Sequence, residues 1–367
     1  MMNILYFFAE DESYMSQWQR IHIFDELSHH GYSIEVFNPL NFRNVTEGNE
    51  KLSDYINGSS KKFDLFMTCV DSDTLFINTI EDIKKMGLPT MLICFDNLHA
   101  PYMHKMIASC FDLVWLTSYE TKWLFEKWGC ENIVVQPYAA NPFKFQPSRN
   151  STIPSVCFIG TPYGGRINKI NVLTDSDIQC DIYTNDIESA AASSKFDIKH
   201  YNNLLEDTIN LLKFRIGRKV LLGLLKNKIF DEKSILHFNS NLKLNSSVSF
   251  DEMQQLYSNH SLSLNITELR NTYVLKKPIH KIHLRTFEIP MCGGIEIASH
   301  TDELATYFED GKEIILYKSE EELLSKARFY LDIKNENSCL KIKKSARKRA
   351  ESDHTWMNRF KVLDTLC

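Results

Sequence analysis

NPFKFQPSRNSTIPSVCFIGTPYGGR, residues 141–166, decides how the chain is divided. Its first part carries Pro142, Pro147 and Pro154 within a polar run, so no helix or strand ladder continues through it, and it reads as a linker. Its second part restarts an ordered pattern. Residues 155–160 form a short apolar run of strand character, and a glycine-bearing turn then leads into helical spacing over 167–173. Both sides of the linker show the same alternation. Before it, strand-like runs fall at 3–8, 33–37, 63–70, 90–95, 113–116 and 133–136, with helical spacing over 15–30, 74–86, 101–110 and 120–128. After it come strands over 155–160, 261–266, 294–298 and 313–317, and helices near 284–291, 301–308 and 319–331. Strands separated by helices of about 10–15 residues imply crossover connections and parallel sheets. The expectation is an α/β chain of two doubly wound domains, residues 1–148 and residues 149–345 with a helical basic insertion near 203–230, followed by residues 346–367.

Composition narrows the class. The 367 residues suit two domains, and 43% apolar with 12% aromatic side chains fill real cores. A net charge of -5 gives no global attraction to nucleic acid. Nine cysteines, with no Cys-x-x-Cys pair, remove the usual zinc and dithiol signatures and suit a reducing cytoplasm. The opening NILYFFAED reads as a buried strand rather than a signal peptide, and no run approaches the ~20 apolar residues of a membrane span. Asn-x-Ser/Thr triplets such as that at Asn265 therefore carry no glycosylation inference.

Two segments have anion-binding character. FIGTPYGGR (158–166) combines Gly160, Thr161 and Arg166 in a strand–turn–helix, where backbone N–H groups and a helix start favour negative charge. Its spacing is neither Walker A nor G-x-G-x-x-G, and a tight turn with a solvated arginine is the plainer alternative. RTFEIPMCGG (285–294) offers Arg285 for bidentate phosphate contact and Glu288 one turn along, with Gly293 and Gly294 open to backbone approach. A surface Arg285–Glu288 pair is the alternative there. Two arginine-bearing turns in one domain favour a diphosphate.

These residues resemble a known family. RTFEIPMCGGIEIASHTDELATYFEDGKEIILYKSEEELLSKARFYL (285–331) resembles the C-terminal segment of CgeB-like glycosyltransferases, a group with the two-domain GT-B fold. SVCFIGTPYGGR resembles that family's entry into its second domain, and VSFDEMQQLYSNHSLSLNIT its helix before an Asn-bearing strand. NIVVQPYAANPFKFQP and SDHTWMNRF resemble its linker approach and closing helix. The resemblance runs from about residue 90 to the C-terminus, is weaker before that and is absent around 190–240. It implies two Rossmann-like domains facing across a cleft, a nucleotide-diphosphate sugar held by the second, a glycan or lipid-linked acceptor held by the first, and no cofactor. Carried across, Arg166 and Arg285 face the diphosphate, Glu288 holds the ribose, and Gly293 and Gly294 line the phosphate turn. Asn265 and Thr267 border the donor. The role implied is sugar transfer in bacterial surface polysaccharide or glycoconjugate synthesis.

Departures from the pattern matter. Glu288 and Glu296 are spaced E-x7-E, as in many retaining GT-B transferases. In the family register, however, Glu288 is the second glutamate and the first falls on His280, so retaining stereochemistry is in doubt. Glu296 lies in a strand pattern. The VDSD stretch (70–73) looks like a metal motif but reads better as a helix cap, and arginines with helix dipoles neutralise a diphosphate without metal. For the acceptor hydroxyl, CFDNLHAPY (94–102) ends its strand with Asp96 and His99 as candidate bases; Glu10 and Asp11, ending the first strand, compete. NLLKFRIGRKVLLGLLKNKIF (210–230) mixes cations with leucines from Leu211 to Phe230, and its expected partner is either the surface of an anionic membrane or the protein core. A nucleotide-sugar 2-epimerase and a non-catalytic nucleotide- or glycan-binding protein are the alternative functions.

Overall fold

Two parallel six-stranded sheets organise the chain in the computed structural model, which describes residues 2–148, 152–185, 204–230 and 235–365. The chain divides into two units, Met1–Lys144 with Trp356–Cys367, and Phe145–Thr355. The first sheet has the order β2-β1-β3-β4-β5-β6, from β1 (Asn3–Phe7), β2 (Ser33–Phe37), β3 (Leu65–Thr68), β4 (Thr90–Cys94), β5 (Leu113–Leu116) and β6 (Ile133–Val135). Its middle strands are buried from end to end, which explains runs such as LFMT and TMLIC that show no polar alternation.

The second sheet has the order β12-β11-β10-β7-β8-β9. Its strands are β7 (Ile153–Ile159), β8 (Cys180–Thr184), β9 (Leu242–Ser246), β10 (His260–Asn265), β11 (Glu296–Ser299) and β12 (Ile315–Tyr317). Phe158, Ile182, Leu264 and Ile297 form its core with Ile170 and Leu323 from the covering helices. In each sheet the first strand lies beside a strand from later in the chain, β1 beside β3 and β7 beside β10. The strand order reverses at those points, and loops there diverge to opposite faces of the sheet, leaving room for a ligand beyond the carboxyl ends.

Several expectations change. Helical spacing over 15–30 becomes α1 (Tyr14–Gln19), a π turn (Arg20–Phe24) and α2 (Asp25–His29). The segment 101–110 holds two short 3-10 turns, Pro101–His104 and Ala108–Cys110, in place of one helix. A helix absent from the sequence reading, α3 (Val45–Gly58), starts where Asn44 accepts a hydrogen bond from the Glu47 N–H at 2.9 Å. The strands β8 and β9 were also missed, and β9 is a half-exposed edge with little apolar signal.

The remaining helices used below are α4 (Ile77–Lys85), α5 (Lys122–Lys127), α6 (Gly165–Thr174), α7 (Leu204–Leu212), α8 (Arg215–Phe230), α9 (Phe250–Asn259), α10 (Arg285–Met291), α11 (Leu304–Tyr307), α12 (Glu320–Leu331), α13 (Glu336–Asp353) and α14 (Trp356–Phe360). The units divide after Lys144 and Thr355 rather than after 148 and 345. The long α13 stays with the second unit because Arg347 donates to the carbonyls of Phe145 and Met291. Only α14 and the turn after it join the first unit. There the buried Glu26 carboxylate accepts the Trp356 and Met357 N–H groups at 3.0 and 2.7 Å, capping α14 from another part of the chain. Trp356 packs beside Trp18 and Trp115, with ring centroids 5.9 and 6.1 Å away.

The basic segment forms α7 and α8. A Cβ at Gly217 would overlap the Leu211 carbonyl, so glycine permits the close turn between them. Gly223 lies against the Asn271 carbonyl, and the Asn227 amide donates to the same oxygen at 3.1 Å. One side of α8 is thus docked. The other presents Arg215 and Arg218 with Leu222 (49% exposed) and Leu225 (58%), mixing charge with apolar surface.

Candidate functional site

At the switch point of the second sheet, β7 runs into a turn from Gly160 to Gly165 that starts α6. Gly160 has φ +134, and a Cβ there would overlap Arg285 Nη2, so only glycine lets the guanidinium reach the turn. Arg285, at the start of α10, donates from Nε to the Ile159 carbonyl at 2.8 Å and lies over the Phe158 ring at 5.4 Å. Arg166, in the first turn of α6, donates from Nη1 to the Thr161 carbonyl at 3.0 Å. Its guanidinium stacks on Tyr163 at 4.2 Å, while its buried Nε finds no partner. Arg270 approaches the Tyr163 ring as well, at 4.9 Å.

These three guanidiniums make no ion pair among the described residues. Burial, then the neighbouring charge of Arg285, brings the Arg166 pKa down to about 10. Clustered cations without a counter-charge are unfavourable on their own and become favourable when an anion joins them. An anion placed among them would supply the missing counter-charge.

Beneath the turn lies a buried polar ladder. Asn265, ending β10, donates from Nδ2 to Glu296 Oε1 at 2.7 Å and to Thr286 Oγ1 at 3.0 Å, tying β10 and β11 to the first turn of α10. Burial pushes the Glu296 carboxyl up to about 8, opposed by the Asn265 hydrogen bond and the charge of Arg285. Asn265 is thus a support for the helix carrying Arg285 rather than a residue bordering an open pocket. Thr267 is likewise fully buried, with its hydroxyl 2.9 Å from His280 Nδ1.

Glu288 lies in the first turn of α10 and is 1% exposed. It does not pair with Arg285, whose hydrogen bond goes to Ile159, so the surface-pair alternative fails. Gly293 and Gly294 correct an expectation. Both are buried beyond the C-terminus of α10, the opposite end from Arg285. Gly293, at φ +68, donates to the Pro290 carbonyl at 2.9 Å as a helix stop. A Cβ on Gly294 would sit 2.5 Å from the Tyr257 carbonyl. These glycines allow close packing and do not line the phosphate turn.

In the first unit, candidate residues cluster at the strand ends. Asp96 follows β4, and Asn97 beside it is fully buried. Asn97 donates to the Ser118 carbonyl and Thr121 Oγ1, both at 2.7 Å, and accepts the Thr117 N–H at 2.9 Å, fixing the loops after β4 and β5 together. His99 is half-buried in the same loop. The sequence reading missed His104, whose Nε2 is 3.5 Å from the Cys69 carbonyl. Burial lowers its pKa, while the Cys69 carbonyl, Asp71 and Asp96 act in the opposite direction. Asp71 caps the turn after β3, accepting the Asp73 N–H at 3.1 Å and the Thr74 hydroxyl at 3.0 Å, whereas the helix expected from VDSD starts only at Ile77, behind Phe76 and without a side-chain cap. Glu10 is ion-paired with Arg20, and Asp11 accepts the Ser16 hydroxyl at 2.7 Å; hydrogen bonds from Ser13 and then from Ser16 lower its pKa. Both shape the loop after β1.

Residues 209–365 match the family described as glycosyl transferase-like. No curated protein sequence matches the chain. Among solved structures, a glycosyltransferase from Rickettsia africae aligns with TM-score 0.59 at 12% identity, covering 99% of this chain and 97% of that one. HepE of Anabaena, solved in complex with UDP-glucose, aligns with TM-score 0.55 at 13% identity over 100% and 99% of the two chains. Sucrose-phosphate synthase from Thermosynechococcus elongatus gives 0.55 at 11% identity over 100% and 98%. At such identities the likeness is one of fold, and the fold is GT-B.

Proposed function

We propose that this chain, of GT-B fold and glycosyl transferase-like over 209–365, moves a sugar from a nucleotide-diphosphate sugar to a glycan or lipid-linked acceptor. The observation that carries this reading is the set of unpaired guanidiniums at the switch point of the second sheet. In it, Arg166 and Arg285 hold the diphosphate, aided by Arg270, while Gly160 and Thr161 let the backbone approach. Departure of the diphosphate builds negative charge on the leaving oxygen. Fixed guanidiniums that need no reorganisation lower the barrier for that step. Glu288 is assigned to the ribose hydroxyls, since a carboxylate accepts two hydrogen bonds from a diol. The acceptor hydroxyl is assigned to the first unit, with Asp96 or His99 taking its proton.

Arg285→Ala and Glu288→Ala should each lower nucleoside diphosphate affinity or turnover at least tenfold while the protein stays folded. If calorimetry shows both variants binding UDP and GDP as wild type does, the site is misassigned.

The second element of the reading is placement at the inner face of a membrane, in bacterial surface glycoconjugate synthesis. Its support is α8, which carries Arg215, Arg218, Lys219, Lys226 and Lys228, no acid, and exposed leucines. Cations beside apolar side chains suit an anionic lipid surface. No helix among the described residues is long and apolar enough to cross a membrane. Co-sedimentation with vesicles containing phosphatidylglycerol should be strong and should fall sharply in an Arg215→Glu, Arg218→Glu variant. Equal sedimentation of both proteins would remove this part.

A further inference from the structure

Glu268 lies just past the end of β10 and rests against the other end of the turn that Arg285 approaches. A Cβ on Gly165 would overlap Glu268 Oε2, so glycine makes room for this carboxylate as Gly160 makes room for Arg285. The Glu268 backbone forms an antiparallel bridge with His280, the position where the sequence register lacks its glutamate. The carboxylate makes no hydrogen bond or ion pair with any described residue. Burial raises its pKa, the charge of Lys169 opposes that rise and Glu320 adds to it.

Charge sorts the two ends of the turn. Phosphate oxygens belong with Arg166, Arg270 and Arg285, and a carboxylate repels them. A partly buried carboxylate without an internal partner is stabilised by hydroxyl donors, and a sugar supplies these as a fan of hydroxyl groups. The sugar of a nucleotide-diphosphate sugar is attached directly beyond the diphosphate.

We propose that Glu268 accepts hydroxyl hydrogen bonds from the transferred sugar and so sets which donor sugar is used. This rests on the donor-site reading above and adds the residue that reads the sugar. A site built to accept a particular hydroxyl discriminates strongly against a sugar that lacks it or points it elsewhere.

The test compares wild type with Glu268→Gln and Glu268→Ala, both checked for an unchanged melting profile. Calorimetry with UDP and GDP measures the diphosphate site alone. Donor hydrolysis with UDP-glucose, UDP-galactose and GDP-mannose measures the sugar site. UDP and GDP affinities should stay within about twofold of wild type. Hydrolysis of the preferred donor should fall at least tenfold, and the UDP-glucose to UDP-galactose rate ratio should move towards one. Unchanged hydrolysis and ratio, or a loss of UDP and GDP affinity as large as the loss of turnover, would overturn the inference. Wild-type protein that binds no nucleoside diphosphate would instead remove the parent reading, and this inference with it.

Discussion

Glu296→Gln should stabilise the second unit in alkali and leave it almost unchanged in acid. Glu296 is 2% exposed and accepts one hydrogen bond, from Asn265, while its second oxygen has no partner. Burial lifts its pKa from the ordinary 4.5 to about 8, so the folded protein favours the neutral acid. A group raised in this way costs nothing below about pH 4.5, where folded and unfolded chains are both protonated. The penalty grows as pH climbs and levels off above the folded value. At about 1.4 kcal/mol per pH unit, it reaches about 3 kcal/mol at pH 7 and about 5 kcal/mol at pH 9. Glutamine copies the shape of the neutral acid, keeps the acceptor for Asn265 and never ionises. Urea denaturation of wild type and variant at pH 5, 7 and 9 reads the difference directly. The variant's advantage should be small at pH 5 and rise by several kcal/mol by pH 9. A difference that stays constant across that range would show that Glu296 takes up no proton on folding, and the account of the buried ladder would be wrong.

Two other substitutions probe separate parts of the structure. Gly160→Ala forces a side chain into a φ of +134 and against Arg285 Nη2, so it should cost about 1–3 kcal/mol of stability and weaken UDP or GDP binding at least tenfold; unchanged calorimetric titrations would contradict the close approach. Glu26→Ala removes the acceptor for one buried and one part-buried N–H group at the start of α14, and chemical denaturation should show a loss of about 2–4 kcal/mol. A loss below about 0.5 kcal/mol would mean that the cap contributes little.

Much of the architecture was legible because parallel strands buried on both faces are written as short apolar runs, such as LVWL at 113–116. The strand β9 was not, since an edge strand with half-exposed residues carries no such run. Arg166 and Arg285 were legible as a pair, but their meeting depends on Gly160, whose φ no residue count reveals. Gly293 and Gly294 misled because a glycine that admits a ligand and one that ends a helix look alike in one sequence. Glu268 went unread for the opposite reason. Its place beside Gly165 arises from the crossing of β10 with the turn after β7, which are about a hundred residues apart in the chain.

Titration of the wild-type protein with UDP and GDP, followed by the same titration of Arg166→Ala and Arg285→Ala, tests the donor site most directly. At least one nucleoside diphosphate should bind wild type and raise its melting temperature, and each arginine variant should lose tenfold or more in affinity. Binding that is undiminished in both variants would place the diphosphate elsewhere on the molecule and contradict the account.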